Sequence, residues 1–386
     1  MTTLDDTTAL RNGLTEQLSA GVLTTPMWRE AFRTVPRHLF APQFALHTPG
    51  SGTFVYHDTT APDTERRASA LAAAYTDDTL ITQFDDAGVP VSSSTEPSLM
   101  ASMLEELDAR RGHQVLEIGT GTGYNAALLC AALGEDNVTT IDVAAELVAA
   151  ARPSLTAAGY RPVVVSGNGA AGVPERAPFD RIIATCAVSR IPAAWLEQLA
   201  PEGAILVNIS KGLVLLRRTD DGDAVSGRFL SPAGFMPLRS AGEPSGPQGR
   251  QIVDATSGEA DSTHREQVPW DVDFAMAAFF ADLVADRSRL VFTHDENGAV
   301  TSYRWLHPGT GSWARVEATG DGQGVVHQAG QRRLWTELTP ILESWFDDHG
   351  RPGIQRYGLT VSADGRHQLW LDTPGMSEIV IADATP

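Results

Sequence analysis

The sequence predicts an α/β protein with a Rossmann-like, mostly parallel sheet, a helical N-terminal segment and an extra C-terminal α+β domain. Three observations predict it. Between residues 113 and 210, short apolar runs alternate with segments of helical periodicity. Several of those runs are almost wholly apolar, as strands covered on both faces are. The first run leads straight into a glycine-rich turn, "VLEIGTGTGYNAALL".

Each element follows in order. Residues 1–80 read as helices and loops, with "TALRNGLTEQL" and "TPMWREAFRTV" at helical spacing and Pro36 ending the second. "VSSSTEP" reads as a polar loop before a helix over 98–108, with Ser94 or Thr95 as its cap and Pro97 in its first turn. "HQVLEIG", "NVTTIDV", "RPVVVSG", "FDRIIATCAV" and "AILVNIS" are strands. "GYNAALLCAAL", "AAELVAAARPSLTAAG" and "PAAWLEQLAPEG" are the helices between them, the last ending at Gly203. Hairpins follow from residue 213. Residues 241–267, rich in Gly, Ser and acidic residues, read as a linker. The expected division is 1–80, a Rossmann-like core over 81–240, the linker, and a C-terminal unit over 268–386.

Composition narrows the function. The chain has 386 residues, 42% hydrophobic and 20% charged, with a formal net charge of -19. A phosphate backbone needs a basic face, so nucleic acid is disfavoured as a partner. Cys130 and Cys186 lack the spacing of a metal site, and no metal is expected. No apolar run reaches the length of a membrane span and none resembles a signal peptide, so a cytoplasmic enzyme is the expectation. Oligomeric state is not legible.

The glycine turn carries the most chemistry. Gly119, Gly121 and Gly123 follow an apolar strand, and Asp142 ends the next strand 19 residues after Gly123. An acidic side chain there can accept from both hydroxyls of a ribose. A dinucleotide fold spaces its glycines GxGxxG to fit a pyrophosphate. Here the spacing is GxGxG, and Glu117 stands before the turn, which suits a cationic ligand without phosphate. S-adenosylmethionine is such a ligand; NAD and an unliganded turn are the competitors. The candidate cofactor set is Glu117, Gly119, Thr120, Gly121, Gly123 and Tyr124, with Asp142 and Val143, Asn168 and Gly169, and Thr185 at the ends of the next three strands.

With segments upstream, these residues resemble the protein-L-isoaspartate O-methyltransferase family. "TVPRHLFAP", "AYTDD", "STEPSLMASMLEEL", "VLEIGTGTGY", "TTIDV", "GNG", "FDRIIAT" and "GFMPL" fall in that family's order, over roughly residues 8–239. The resemblance implies a class I S-adenosylmethionine-dependent fold and transfer of a methyl group to a carboxylate. Against the family's "SQP" loop, Thr95 and Glu96 stand before Pro97, and Asn168 replaces an aspartate. A typical family member ends soon after the "PL" pair, whereas this chain continues.

The extension resembles a branch encoded with ribosomal modified peptides such as graspetides, lanthipeptides and lasso peptides. That branch implies an L-aspartate of a constrained precursor peptide as acceptor, its ester closing to an aspartimide and in some cases opening to isoaspartate. The rival expectations are an isoaspartate repair enzyme and a non-catalytic peptide-binding protein. Thr95, with Ser93 and Ser94, is the candidate catalytic set, placed to orient the acceptor. Trp335, Trp345, Trp370 and Tyr357 can line a peptide groove or pack a core, and the C-terminal unit is expected to set peptide specificity.

Overall fold

Alternate residues along a strand face opposite ways, and the parallel strands of this chain use both faces for apolar contact. Leu116, Ile118, Ile182, Ala184, Ile205 and Val207 belong to one buried cluster. Val115, Ile183 and Leu206, each adjacent in sequence to one of these, belong to another. The sheet is therefore covered on both sides, as its near-continuous apolar runs require. The computed structural model describes residues 7–48, 53–240, 242–243, 246–247, 249–268, 270, 273–375 and 378–380.

The N-terminal segment contains α1 (Thr8–Ser19), α2 (Pro26–Thr34), β1 (Gln43–Thr48), β2 (Thr53–Asp58), α3 (Thr64–Ala74), β3 (Leu80–Phe84) and β4 (Pro90–Ser94). The four strands form an antiparallel sheet in the order β2-β1-β3-β4. This corrects three expectations. The first 80 residues are not only helices and loops, and a boundary at 80 cuts the start of β3. The serines are strand rather than loop, with Ser93 opposite Ile81 and Ser94 opposite Leu80.

Next come α4 (Pro97–Glu106), β5 (Val115–Ile118), α5 (Tyr124–Leu133), β6 (Val138–Asp142), α6 (Ala145–Ala157), β7 (Val163–Ser166), β8 (Phe179–Val188), α7 (Ala193–Gln198), β9 (Leu199–Ile209), β10 (Gly212–Arg218) and β11 (Ala224–Pro232). Helix α7 stops at Gln198, not at Gly203. Leu199 is already extended and pairs with Phe179. Gly203 lies inside β9, where a Cβ would sit 2.8 Å from the Ala200 carbonyl oxygen; its smallness serves a close backbone approach, not a helix cap.

The remainder adds α8 (Gly249–Ala255), β12 (Ser262–Gln267), α9 (Phe274–Val284), β13 (Arg289–His294), β14 (Val300–His307), β15 (Ser312–Ala318), β16 (Gln323–Ala329), α10 (Leu334–Glu343), β17 (Tyr357–Ser362), β18 (His367–Leu371) and β19 (Glu378–Val380). Residues 241–267 are thus not a plain linker, since α8 and β12 lie within them. Strand β12 pairs along its whole length with β16 in a five-stranded antiparallel sheet.

Nor is 268–386 a separate unit. Among the described residues, ten strands form one sheet in the order β19-β18-β17-β11-β10-β9-β8-β5-β6-β7. The last three strands of the chain extend the sheet that carries the glycine turn. Phe229 on β11 meets Phe279 on α9 edge to face at 5.0 Å, and the buried cluster runs unbroken from Ile118 to Trp335, Trp345 and Tyr357. Trp335, Trp345, Trp370 and Tyr357 are all buried, so they pack the core and line no groove.

A chain ending at residue 240 would expose the β11 edge and this apolar face. In circular dichroism we expect the full chain to melt in one cooperative transition and the shortened chain to show none. A cooperative transition at an unchanged temperature would refute the shared core.

Candidate active site

Ligands of open α/β sheets bind beyond the carboxyl ends of the strands, where the order reverses. Here the reversal lies between β5 and β8, which pair in parallel with β6 and β9 outside them. A cleft of about 550 Å³ opens there. Its floor is the turn after β5. Gly119, Gly121 and Gly123 have φ of 97°, 51° and 89°, values that side chains rarely adopt. A Cβ on Gly119 would lie 2.9 Å from Thr185 Oγ1, so this position needs glycine twice over. Thr185 donates to the Gly119 carbonyl at 2.7 Å and joins the two strands at the switch point.

Ser93, Ser94, Thr95, Glu117, Gly119, Thr120, Gly121, Tyr124, Asp142, Val143, Gly169 and Thr185 all line this cleft. Two expected members do not. Gly123 turns away to start α5. Asn168 is exposed, and its Oδ1 accepts from the Ala170 N–H at 3.0 Å, capping the turn after β7. Two others take roles different from those expected.

Glu117 is fully buried, and it points into the protein. Asn125 Nδ2 donates to one of its oxygens at 2.7 Å and Thr140 Oγ1 to the other at 2.6 Å. Burial pushes its carboxyl up to about 7. It braces the turn from beneath and does not reach into open space. Ser94 is also buried, with its Oγ against Arg37 Nε at 3.4 Å. The hydroxyls of Ser93 and Thr95 have no protein partner among the described residues.

Sequence reasoning passed over Arg37, in "TVPRHLFAP". It is buried, and its guanidinium donates to the carbonyls of Ala74, Thr76, Asp78, Ser94 and Thr95. Its Cζ lies 5.8 Å from the centre of the Tyr124 ring, at the start of α5. Desolvation lowers its pKa to about 10, so it keeps its charge at neutral pH. Helix α4 is not capped by Ser94 or Thr95; the Ser98 N–H donates at 2.8 Å to Asp77, from the "AYTDD" segment. Pro97 does open the helix.

The segment 232–239 was also not assigned to the site, though it forms one wall. Met236 O accepts from Ala187 N at 2.8 Å and Leu238 N donates to Ala187 O at 2.7 Å, fixing the segment along the end of β8. No described residue beyond Arg239 lines the cleft, so the described part of the C-terminal unit forms none of its walls.

The donor set fits a cationic nucleoside and not a dinucleotide. The Gly121 N–H, which a pyrophosphate would take, already donates to Asp142 Oδ2 at 2.8 Å. The Ala144 N–H donates to the other oxygen at 3.0 Å, and each oxygen keeps lone pairs for a ligand's hydroxyls. Among the described residues, the only cation that lines the cleft is Arg239, which lies on the 232–239 wall and not in the glycine turn. Among the described residues, no group of His, Cys, Asp and Glu can hold a metal, and no helix is long and apolar enough to cross a membrane.

Fold and cleft together define a class I S-adenosylmethionine-dependent methyltransferase. Residues 63–242 match the model of the Protein-L-isoaspartate(D-aspartate) O-methyltransferase family. A protein-L-isoaspartate O-methyltransferase from Ignicoccus hospitalis is 34% identical over 216 residues, covering 54% of this chain and 87% of that one. The protein-L-isoaspartate O-methyltransferase 2 of Archaeoglobus fulgidus is 32% identical over 234 residues, covering 59% and 92%. The chain belongs to this family of carboxyl O-methyltransferases.

A solved protein-L-isoaspartate O-methyltransferase superposes with a TM-score of 0.54 at 23% identity, covering 94% of this chain and 100% of that one. That likeness is one of fold, and it extends well past residue 240. A long C-terminal part therefore does not by itself set this chain apart from proteins of that name.

The raised Glu117 gives a pH prediction. The folded chain holds this proton more tightly than the unfolded chain. The stabilisation is complete below the ordinary glutamate value of 4.5 and is lost as pH rises through about 7. Between pH 5 and 8 the stability of the native chain should fall relative to Glu117→Gln by up to about 3 kcal/mol. Denaturant titrations of both proteins across that range measure it; parallel pH profiles would show that Glu117 is not buried as described.

Proposed function

We propose that this chain methylates a free carboxylate of a peptide or protein, with an isoaspartyl residue as the acceptor. One observation carries this reading. Thr95 and Ser93, whose hydroxyls are uncommitted, stand across one cleft from Gly121, where a Cβ would lie 3.7 Å from the Ser93 carbonyl. Acceptor wall and cofactor wall are thus in contact range. The names carried by the relatives support the choice of acceptor.

S-adenosylmethionine, when bound, supplies an electrophilic methyl group. The backbone of Gly119–Gly121 would hold it, with Asp142 at its hydroxyls and Val143 and Gly169 at its base. A carboxylate has a reference pKa near 3.9 and is ionised at neutral pH, so its transfer needs no strong base. The side chains present agree. His38 is bound to Tyr75 at 2.7 Å and lowered to about 4 by burial, outside the cleft. Cys186, in the cleft, is pushed up to about 12 by burial. What remains is alignment, which held orientation can supply. Thr95 Oγ1 and Ser93 Oγ donate to the acceptor, and the Thr95 carbonyl is fixed by Arg37.

A second reading has one observation in its favour. Glu96 puts a carboxylate on the acceptor wall, where the family pattern has a neutral residue; its Oε1 accepts from Ser98 Oγ at 2.6 Å. An altered wall supports an altered acceptor: an L-aspartate in a constrained ribosomal peptide, whose ester closes to an aspartimide. On either reading the backbone nitrogen that follows attacks the ester carbonyl and expels methanol; among the described residues no histidine or lysine lines the cleft to assist it.

Initial rates on an isoaspartyl peptide and on a cyclic aspartyl peptide of the same composition separate the two. We expect a faster rate on the isoaspartyl peptide; turnover confined to the aspartyl ring would select the second reading. Thr95→Val keeps shape and removes the hydroxyl. It should lower kcat about tenfold or more with S-adenosylmethionine affinity unchanged, and an unchanged kcat would remove Thr95 from the mechanism.

A further inference from the structure

We propose that Arg239 receives the acceptor's carboxylate at the mouth of the cleft. The inference rests on the carboxyl-methylation reading above and goes beyond it by naming what selects an anionic acceptor.

The problem is electrostatic. Two carboxylates, Glu96 and Asp142, line the open part of the cleft, on a chain of net charge -19. A carboxylate entering it meets like charge in a partly desolvated space, where such repulsion is strong. Arg239 is the one cation among the described residues that line the cleft.

Its placement suits the task. The backbone at Leu238 is fixed to β8, because its N–H donates to the Ala187 carbonyl at 2.7 Å. From there the Arg239 side chain crosses to the serine strand and donates one N–H to the Val91 carbonyl at 3.1 Å. No carboxylate pairs with it among the described residues. Of five guanidinium N–H donors, the rest remain available, two residues along the strand from Ser93. An arginine fork can hold one carboxylate oxygen and leave the other to the hydroxyl side. That leaves the second oxygen free to attack, while Ser93 and Thr95 set its direction.

The bland alternative is a staple, in which Arg239 only ties the 232–239 segment to β4. The two roles separate by readout. Arg239→Gln removes the charge and keeps a donor; Arg239→Lys keeps both. With an isoaspartyl hexapeptide, we expect Arg239→Gln to raise KM tenfold or more, with kcat changed less. Arg239→Lys should recover most of that loss. The melting temperature and S-adenosylmethionine affinity should stay at native values in both.

Binding tests the same point without turnover. With S-adenosylhomocysteine present, calorimetry on the same hexapeptide and on its amide counterpart should show at least tenfold preference for the carboxylate in the native chain. Arg239→Gln should abolish the preference. If the native chain methylates no carboxylate yet keeps this Arg239-dependent preference, the function reading fails and the assignment of Arg239 stands. An unchanged KM in Arg239→Gln, an equal loss in the Lys variant, a loss that follows melting temperature, or no preference in the native chain would each overturn it.

Discussion

A single buried cation sets the geometry on which the cleft depends. Arg37 has given up bulk water, and five backbone carbonyls replace its hydration. Those carbonyls come from the two flanks of the β3–β4 hairpin, the end of α3 with its following turn and the end of β4, whereas Arg37 itself lies 37 or more residues earlier. A buried donor or acceptor left unpaired costs about 1–3 kcal/mol, and more for a charged group. The stretches therefore cannot separate from Arg37 or from each other without a large penalty. The guanidinium also lies over Tyr124, the first residue of α5, behind the glycine turn. One side chain thus fixes the acceptor wall, its supporting turn and the start of the cofactor helix.

A second buried network works beneath the turn. Thr120 and Thr140 share a hydrogen bond at 2.7 Å, Thr140 donates to Glu117, and Asn125 donates from α5. Strands β5 and β6 and the first turn of α5 are tied by it. The acidic residue before the glycines therefore acts on the ligand by holding the shape of the turn. On the proposed function, contact with the ligand's hydroxyls would fall to Asp142, whose oxygens keep lone pairs beyond the two N–H groups they accept.

The parallel half of the fold was legible because its signal is local. Strands covered on both faces read as apolar runs, and the turn between β5 and α5 needs glycine at fixed spacing. The polar strand β4 was not legible. Ser92 and Ser94 face inward toward Thr82 and Arg37, satisfied by distant partners that no local pattern reveals. The α4 cap is supplied by Asp77, 21 positions away from Ser98, so the hydroxyls beside the helix gave a false local answer. Residues 241–267 looked like a linker because β12 is an edge strand with mostly exposed polar side chains. Asn168 was assigned to the ligand because side chains at strand ends point toward it in general, whereas here a backbone N–H takes its oxygen. The quoted segments "TVPRHLFAP", "AYTDD" and "STEPSLMASMLEEL" were recognisable one by one, but their common purpose, enclosing Arg37, appears only in three dimensions.

The most direct measurement is the behaviour of Arg37→Lys. An ammonium has three donors and cannot span the carbonyls that a planar guanidinium reaches. A misplacement of about 1 Å at an acceptor wall can cost on the order of 10²-fold in rate. The account predicts a folded protein with a lower melting temperature, S-adenosylmethionine affinity within a few-fold of native, and kcat on an isoaspartyl peptide reduced about 10²-fold. Native kcat in a folded, cofactor-binding Arg37→Lys protein would contradict it.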